Sequence, residues 1–226
     1  MGLKLKALAF DLDGTLYPNY RFNRKLIPFI RRELPLLLAF GHARNRLRGR
    51  GGPMEHPLPG EDFYTAQARL MAARLGISGV DGLREKVERL IYRGWEPLFR
   101  GIKLYPHVVE TLETLRRRGF KLALLSDFPP ETKLSLLGLE GIWDLVLCSE
   151  VLGALKPDPR PFAALVRGLG LEPAEILYVG NSVSYDIQGA KNAGLRAALI
   201  SPWGRGCRDA DFVFRSYRKL GRYVLG

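Results

Sequence analysis

A series of short, almost continuously apolar runs, each ended by a polar residue or a glycine and followed by a helical pattern, constrains this chain more than any other feature. Lys4 to Phe10 stops at Asp11, Lys121 to Leu125 at Ser126, and Ile176 to Val179 at Gly180. Asp144 to Leu147, Ala197 to Ile200 and Asp211 to Phe214 have the same character. Runs this short with no polar face fit strands covered on both sides, as in a parallel sheet. Between them, Pro106 to Arg118 is closed by Gly119, Pro159 to Leu169 by Gly170, and Asp186 to Ala193 by Gly194, each glycine standing where a helix needs its C-terminal cap. The alternation predicts an α/β fold, a Rossmann-like open parallel sheet with helices on both faces. Such sheets bind ligands at the carboxyl ends of their strands, where Asp11, Ser126 and the Gly180-Asn181 pair fall.

From about Pro18 to Ile102 the alternation breaks, leaving helical patterns over Arg24 to Ala39, Glu61 to Leu75 and Gly82 to Phe99. That is too long for a loop between a strand and the next helix. It reads as an inserted all-helical cap domain, residues 18–102, in a core made of 1–17 and 103–226. Within it, the glycine- and proline-rich stretch from Gly41 to Gly60 is expected to be an irregular connection. Its arginines, Arg44, Arg46, Arg48 and Arg50, read as a solvated loop rather than a nucleic-acid site.

Composition narrows the partners. With 226 residues, 46% of them hydrophobic and 26% charged, the chain can bury a globular core. No apolar stretch approaches the roughly 20 residues that span a bilayer, so no membrane partner is expected. The N-terminus, Met1 to Phe10, runs into an acidic motif instead of a cleavage site, which points to a cytoplasmic protein, monomer or homodimer. A net charge of +12 attracts anions, with small phosphorylated substrates favoured and nucleic acid possible but not favoured. The two cysteines, Cys148 and Cys207, lack a metal-type spacing. His42, His56 and His107 do not cluster, and Trp95, Trp143 and Trp203 read as packing residues.

The chemistry concentrates in four segments. Asp11-Leu12-Asp13-Gly14-Thr15 places two carboxylates directly after the first strand. A carboxylate can attack phosphorus when its charge is neutralised and a second acid protonates the leaving oxygen, roles that suit Asp11 and Asp13. Gly14 allows the sharp turn, with Thr15, that aims main-chain amides at a phosphate. Ser126 can donate to a phosphoryl oxygen, or cap the next helix. Lys156, in Leu155-Lys156-Pro157-Asp158-Pro159, can neutralise Asp11, or stand as a surface lysine before a proline-started helix. Asn181 and Asp186, in Gly180-Asn181-Ser182-Val183-Ser184-Tyr185-Asp186, offer oxygens suited to magnesium, or turn and cap chemistry.

In their order and spacing these segments resemble the four motifs of the haloacid dehalogenase-like hydrolases, over nearly the whole chain, and the insert sits where one subgroup carries a helical cap. The resemblance implies a magnesium-dependent phosphatase. Asp11 would form an aspartyl-phosphate, and Asp13 would serve as general acid and then base. Ser126 and Lys156 would hold and neutralise the phosphoryl group, with Gly14, Thr15 and Asp127 beside the substrate. Mg2+ would be held by Asp11, by the main-chain carbonyl of Asp13, and by Asn181 and Asp186. The family's fourth motif usually begins Gly-Asp, whereas Asn181 keeps an oxygen but not the charge. Two alternatives follow: a binding or regulatory protein with a basic surface, or a 2-haloacid dehalogenase, which uses an aspartate nucleophile without metal and typically replaces the second acid that Asp13 supplies here. On the cap, Tyr17, Tyr20, Arg21, Arg24, Tyr64 and the arginine run are candidates to face the substrate, and arginines at the mouth would suit a second anionic group.

Overall fold

The computed structural model describes residues 5–204 and 206–226; Lys4, the first residue of the first expected run, and Met1 to Leu3 before it lie outside the described residues. The strands are β1 (Ala7–Phe10), β2 (Lys121–Ser126), β3 (Leu145–Cys148), β4 (Ile176–Gly180), β5 (Arg196–Ile200) and β6 (Phe212–Phe214). They form one six-stranded sheet in the order β3-β2-β1-β4-β5-β6, and each neighbouring pair is parallel. The helices are α1 (Asn19–Leu47), α2 (Phe63–Leu75), α3 (Val80–Val87), α4 (Val108–Arg117), α5 (Glu131–Leu137), α6 (Pro159–Leu169), α7 (Gln188–Asn192) and α8 (Tyr217–Leu225).

The continuous apolar runs have their explanation in the two faces of the sheet. In β1, Leu8 and Phe10 enter one core with Leu112 and Leu115 of α4 and Leu220 of α8. Ala7 and Ala9 enter the other with Phe162, Leu165 and Leu169 of α6. Successive strand residues point to opposite faces, so a strand covered on both sides has no position for a polar residue until it ends. Each fully buried leucine or phenylalanine stabilises the fold by about 1.5–3 kcal/mol relative to exposure. Register sets the functional edge: Phe10 of β1 pairs with Leu124 of β2 and Val179 of β4, so these three strands finish side by side. The sheet grows outward from β1 through β2 to β3 on one side and from β4 to β6 on the other, so the switch point at which such sheets open a crevice lies between β1 and β4.

The segment between β1 and β2 is helical and has its own core, in which Leu36, Ala39, Phe40 and Ala43 of α1 pack on Met71, Ala72, Leu83, Val87 and Ile91. One expectation fails in part here. The stretch from Gly41 to Gly60 is irregular only after Leu47: α1 continues that far, because Leu36, Ala39, Phe40, Ala43 and Leu47 repeat at helical spacing and are all buried. Gly41 has open space around it, so its cost is the roughly 1 kcal/mol of a glycine in a helix interior, less than that face returns. The long helix instead breaks at Glu33 (φ −122°, ψ 29°), two residues before Pro35, whose ring and missing N–H disrupt the preceding turn. The helical pattern over Gly82 to Phe99 is borne out: α3 runs into a wide helical turn over Glu88–Arg93 and then a tight one over Glu96–Phe99 that carries Pro97. Trp203 is corrected as well: it is 89% exposed and packs in no core, whereas Trp95 and Trp143 do pack.

Candidate active site

Asp11 continues the sheet by one residue, its N–H donating to Val179 O at 2.9 Å, and its side chain is buried beneath the crevice. Leu12 O then accepts from the N–H groups of Thr15 and Leu16, which folds the chain back over the strand end. Gly14 makes that turn possible. Its φ is +90°, and a Cβ there would lie 2.3 Å from the Asn181 side-chain nitrogen, so no other residue fits without moving the fourth segment.

Lys156 organises what lies underneath. Its ammonium group is 2% exposed and donates to Asp11 Oδ1 (2.7 Å), Asp186 Oδ1 (2.8 Å), Tyr178 Oη (3.0 Å) and Leu125 O (3.2 Å). Burial alone would lower its pKa, but Asp11 and Asp186 overcome that and raise it well above the ordinary lysine value, so it stays charged. The second oxygen of Asp11 accepts from Thr15 Oγ1 at 2.7 Å. Asp186 Oδ2 accepts from the N–H groups of Asn181 and Ser182 at 3.1 and 3.0 Å. A Cβ on Gly180 would lie 2.3 Å from Asp186 Cβ, which accounts for glycine at the end of β4. Ser126, fully buried at the end of β2, accepts from Phe128 N–H at 3.2 Å, and its hydroxyl proton remains for another acceptor.

Asp13 stands apart from this buried set and reaches the mouth. Tyr17 Oη donates to its Oδ1 and Lys133 Nζ to its Oδ2 at 2.7 Å. Lys133 is a residue that sequence reasoning missed. The signal was there: a lysine on the same face as Leu134 and Leu137 of α5, buried, with its ammonium 4.9 Å from both the Phe99 and Phe128 rings.

The expected site residues therefore come together with two changes of place. Thr15 supports Asp11 from below instead of facing a ligand. Asp127 turns away from the cavity to meet Arg48, Nη2 to Oδ2 at 2.7 Å, and accepts from Lys156 N–H at 3.1 Å. Burial would raise the Asp127 carboxyl, but Arg48, with Lys156 and Arg44, holds it down at about 2.

The arginine run is corrected as a whole. Arg44 is buried in an ion pair with Glu150, Arg46 meets Glu55 at 2.7 Å, and Arg50 donates to Tyr185 Oη. Arg48 also donates through Nε to Lys156 O at 3.2 Å and lies 4.6 Å from the Tyr185 ring centre. Arg44, Arg48 and Arg50 fasten the insert to the core, whereas Arg46 pairs within the insert. Of the other candidates on the insert, Tyr17 and Tyr64 line the cavity, whereas Tyr20 is exposed and Arg21 donates to Lys103 O at 2.6 Å.

Three carboxylates, Asp11, Asp13 and Asp186, share the ammonium groups of Lys156 and Lys133, which leaves the site short of positive charge. Burial, with Asp186 and Asp13 nearby and against the opposing pull of Lys156, pushes the Asp11 carboxyl up to about 7. Hard oxygen donors gather beside one another: Thr15 Oγ1 donates to Asp11 Oδ2 at 2.7 Å and lies 3.4 Å from Asn181 Oδ1. The donor set thus fits a small divalent cation that prefers oxygen. Both Asp186 oxygens are already engaged, so its part is to hold the loop that presents Asn181. Above Asp13 a cavity of about 1140 Å³ opens between core and insert.

A sequence model of the haloacid dehalogenase-like hydrolases matches residues 5–194. The chain is 39% identical over 213 residues to a phosphoglycolate phosphatase of Aquifex aeolicus, covering 88% of this chain and 86% of that one. It is 30% identical over 211 residues to a glyceraldehyde 3-phosphate phosphatase of Methanopyrus kandleri, covering 87% and 84%. Among solved structures it resembles a HAD phosphatase from Thermococcus onnurineus, with 26% identity, a TM-score of 0.64, and coverage of 98% of this chain and 99% of that one.

Proposed function

This chain belongs to the haloacid dehalogenase-like hydrolases and is a phosphatase, and from that premise we propose that it hydrolyses the phosphoric monoester of a small metabolite through an aspartyl-phosphate on Asp11, with magnesium as cofactor. The observation that carries this reading is the single ammonium group of Lys156 bonded to both Asp11 and Asp186 under the strand ends.

Asp11 Oδ2 attacks phosphorus, forming one oxygen–phosphorus bond as the bond to the leaving oxygen breaks. Lys156 holds Oδ1 and so fixes which oxygen attacks. Ser126 donates its hydroxyl proton to a non-bridging oxygen. Asp13, steadied by Tyr17 and Lys133, gives a proton to the leaving oxygen and afterwards takes one from the water that cleaves the aspartyl-phosphate. Magnesium, when bound, supplies charge neutralisation for the carboxylate and the phosphoryl oxygens. Asp11, the main-chain carbonyl of Asp13 and Asn181 would hold it. The helical insert acts as a cap over the mouth, and its inner wall selects the leaving group. Asp13 also separates this reading from dehalogenation, in which no alkoxide needs a proton. Unpaired Cys148 and Cys207 suit the reducing cytoplasm.

The test is release of inorganic phosphate from a panel of monoesters with and without MgCl2, for the wild type and Asp11→Asn. Turnover that needs both the metal and Asp11 is expected. Equal turnover by the two proteins would contradict the reading.

A further inference from the structure

The cavity above Asp13 has a wall whose chemistry is unlike that of the site beneath it. Phe22, Tyr64, Tyr92 and Trp95 from the insert and Phe128 from the core line it, and all five are half-buried. They form a continuous chain of rings: Phe22 to Trp95 at 5.7 Å between centres, Trp95 to Phe128 at 6.2 Å, Phe128 to Tyr92 at 6.1 Å, and Tyr92 to Tyr64 at 5.5 Å. The contacts among these five are edge-on or tilted and each ring keeps part of its surface exposed, although Phe22 is stacked on Phe99 (4.7 Å) and Phe128 lies under the Arg44 guanidinium (3.9 Å). Apolar surface in a cavity is unfavourable until something apolar covers it, and such walls are the usual mark of a ligand site. The volume, about 1140 Å³, is at the upper end of pockets that enclose drug-sized molecules, far more than a two-carbon acid would fill.

Charge points the same way. A leaving group with its own carboxylate needs a cation, and most of the cations that line the cavity are already paired. Lys133 is paired with Asp13, Arg84 with Asp62 at 2.8 Å, and Arg93 with Glu88 at 3.0 Å and Glu96 at 3.4 Å. Arg44, Arg48 and Arg50 are spent on the core and Arg46 on Glu55. Arg89, exposed, lines the rim together with the acidic Asp81, Glu85 and Glu131. An anionic leaving group would meet like charge there, whereas an uncharged one would not.

We infer that the leaving group is an uncharged alcohol bearing a flat aromatic or heteroaromatic ring, which packs on this wall while its phosphate reaches Asp11. The inference rests on the phosphatase reading for the position of the phosphate. It assigns Tyr64, Tyr92, Trp95 and Phe128 to specificity and not to the chemical step.

The experiment compares esters of alkyl alcohols, so that leaving-group acidity does not decide the result: 2-phenylethyl phosphate against glycerol 1-phosphate and phosphoglycolate, with MgCl2. The expected kcat/KM for 2-phenylethyl phosphate is at least about tenfold above that for either of the others. Tyr64→Ala, at one end of the chain of rings, should lower that value several-fold and lower the value for phosphoglycolate less. Calorimetric binding to Asp11→Asn gives the same comparison without turnover. Tighter binding of 2-phenylethyl phosphate supports the inference, and phosphoglycolate bound or turned over equally well or better overturns it. Failure of the wild type to hydrolyse any ester would overturn the phosphatase reading instead, and the binding ratio keeps the two failures apart.

Discussion

Core and insert both bury charge at the place where they meet, and they do so to different ends. In the core, Lys156 gathers more acceptors than it has protons, and the carboxylate it holds, Asp11, has its other oxygen on Thr15 Oγ1, which lies beside Asn181 Oδ1. In the insert, Arg44 and Arg48 each meet one core carboxylate, Glu150 and Asp127, in pairs closed off from the cavity. The first cluster is incomplete without a ligand; the second ties insert to core, although Arg44 Nη2 and Glu150 Oε2 stay buried without a partner among the described residues. A buried cation therefore marks a reactive site when its partners face a crevice, and an attachment when they do not.

Replacing Asp11 by Asn should have the largest effect. Loss of the nucleophile is expected to cut kcat by at least about a thousandfold with little change in fold, as steady-state kinetics and circular dichroism would show together. Lys156→Met comes next, because it strips Asp11 and Asp186 of their common partner. Leaving buried carboxylates uncompensated costs about 3–5 kcal/mol in denaturant unfolding, and activity should fall with it.

Arg44→Met probes the fastening in the same terms. Alone it orphans Glu150 and should destabilise by a similar amount, whereas Arg44→Met with Glu150→Leu should recover much of it, since an apolar pair of similar volume replaces ions that were costly to bury. If the single variant unfolds no more easily than the wild type, the contrast between the two clusters is wrong.

Smaller still is the effect of Arg48→Ala, and here the sign with pH is fixed. Arg48, with Lys156 and Arg44, holds the Asp127 carboxyl at about 2, below the ordinary aspartate value. The Arg48 share of that stabilisation is present in full above about pH 4 and lost as pH falls through about 2. The stability gap between wild type and Arg48→Ala should therefore be constant near neutrality and shrink in acid. Last, Asn181→Asp should tighten magnesium binding severalfold by adding charge to an oxygen already in place.

The same contrast explains what could be read in advance. Strand ends were legible because full burial leaves no polar residue until the strand stops, so Asp11, Ser126 and Gly180 announced themselves. Lys156 was legible only through its place in the order of segments, since nothing local distinguishes a lysine before proline that is buried from one that is solvated. In the insert, Gly41 and the neighbouring arginines outweighed the apolar repeat at Leu36, Ala39, Phe40, Ala43 and Leu47, because the arginines' core partners Glu150, Asp127 and Tyr185 lie 106, 79 and 135 residues away. Lys133 was missed for a related reason, its partner Asp13 being brought to it by the sheet and not by spacing. Ring-lined walls follow the same rule: Tyr64, Tyr92 and Phe128 meet only once the fold exists.

The most direct test of the account is whether phosphate passes through Asp11 before it reaches water. Methanol competes with water for a phosphorylated enzyme, so the ratio of methyl phosphate to inorganic phosphate reports the species that is attacked. An aspartyl-phosphate common to all substrates predicts one ratio for esters with different leaving alcohols. A ratio that changes with the leaving alcohol would mean that water attacks the ester itself, and the role given to Asp11 would be wrong.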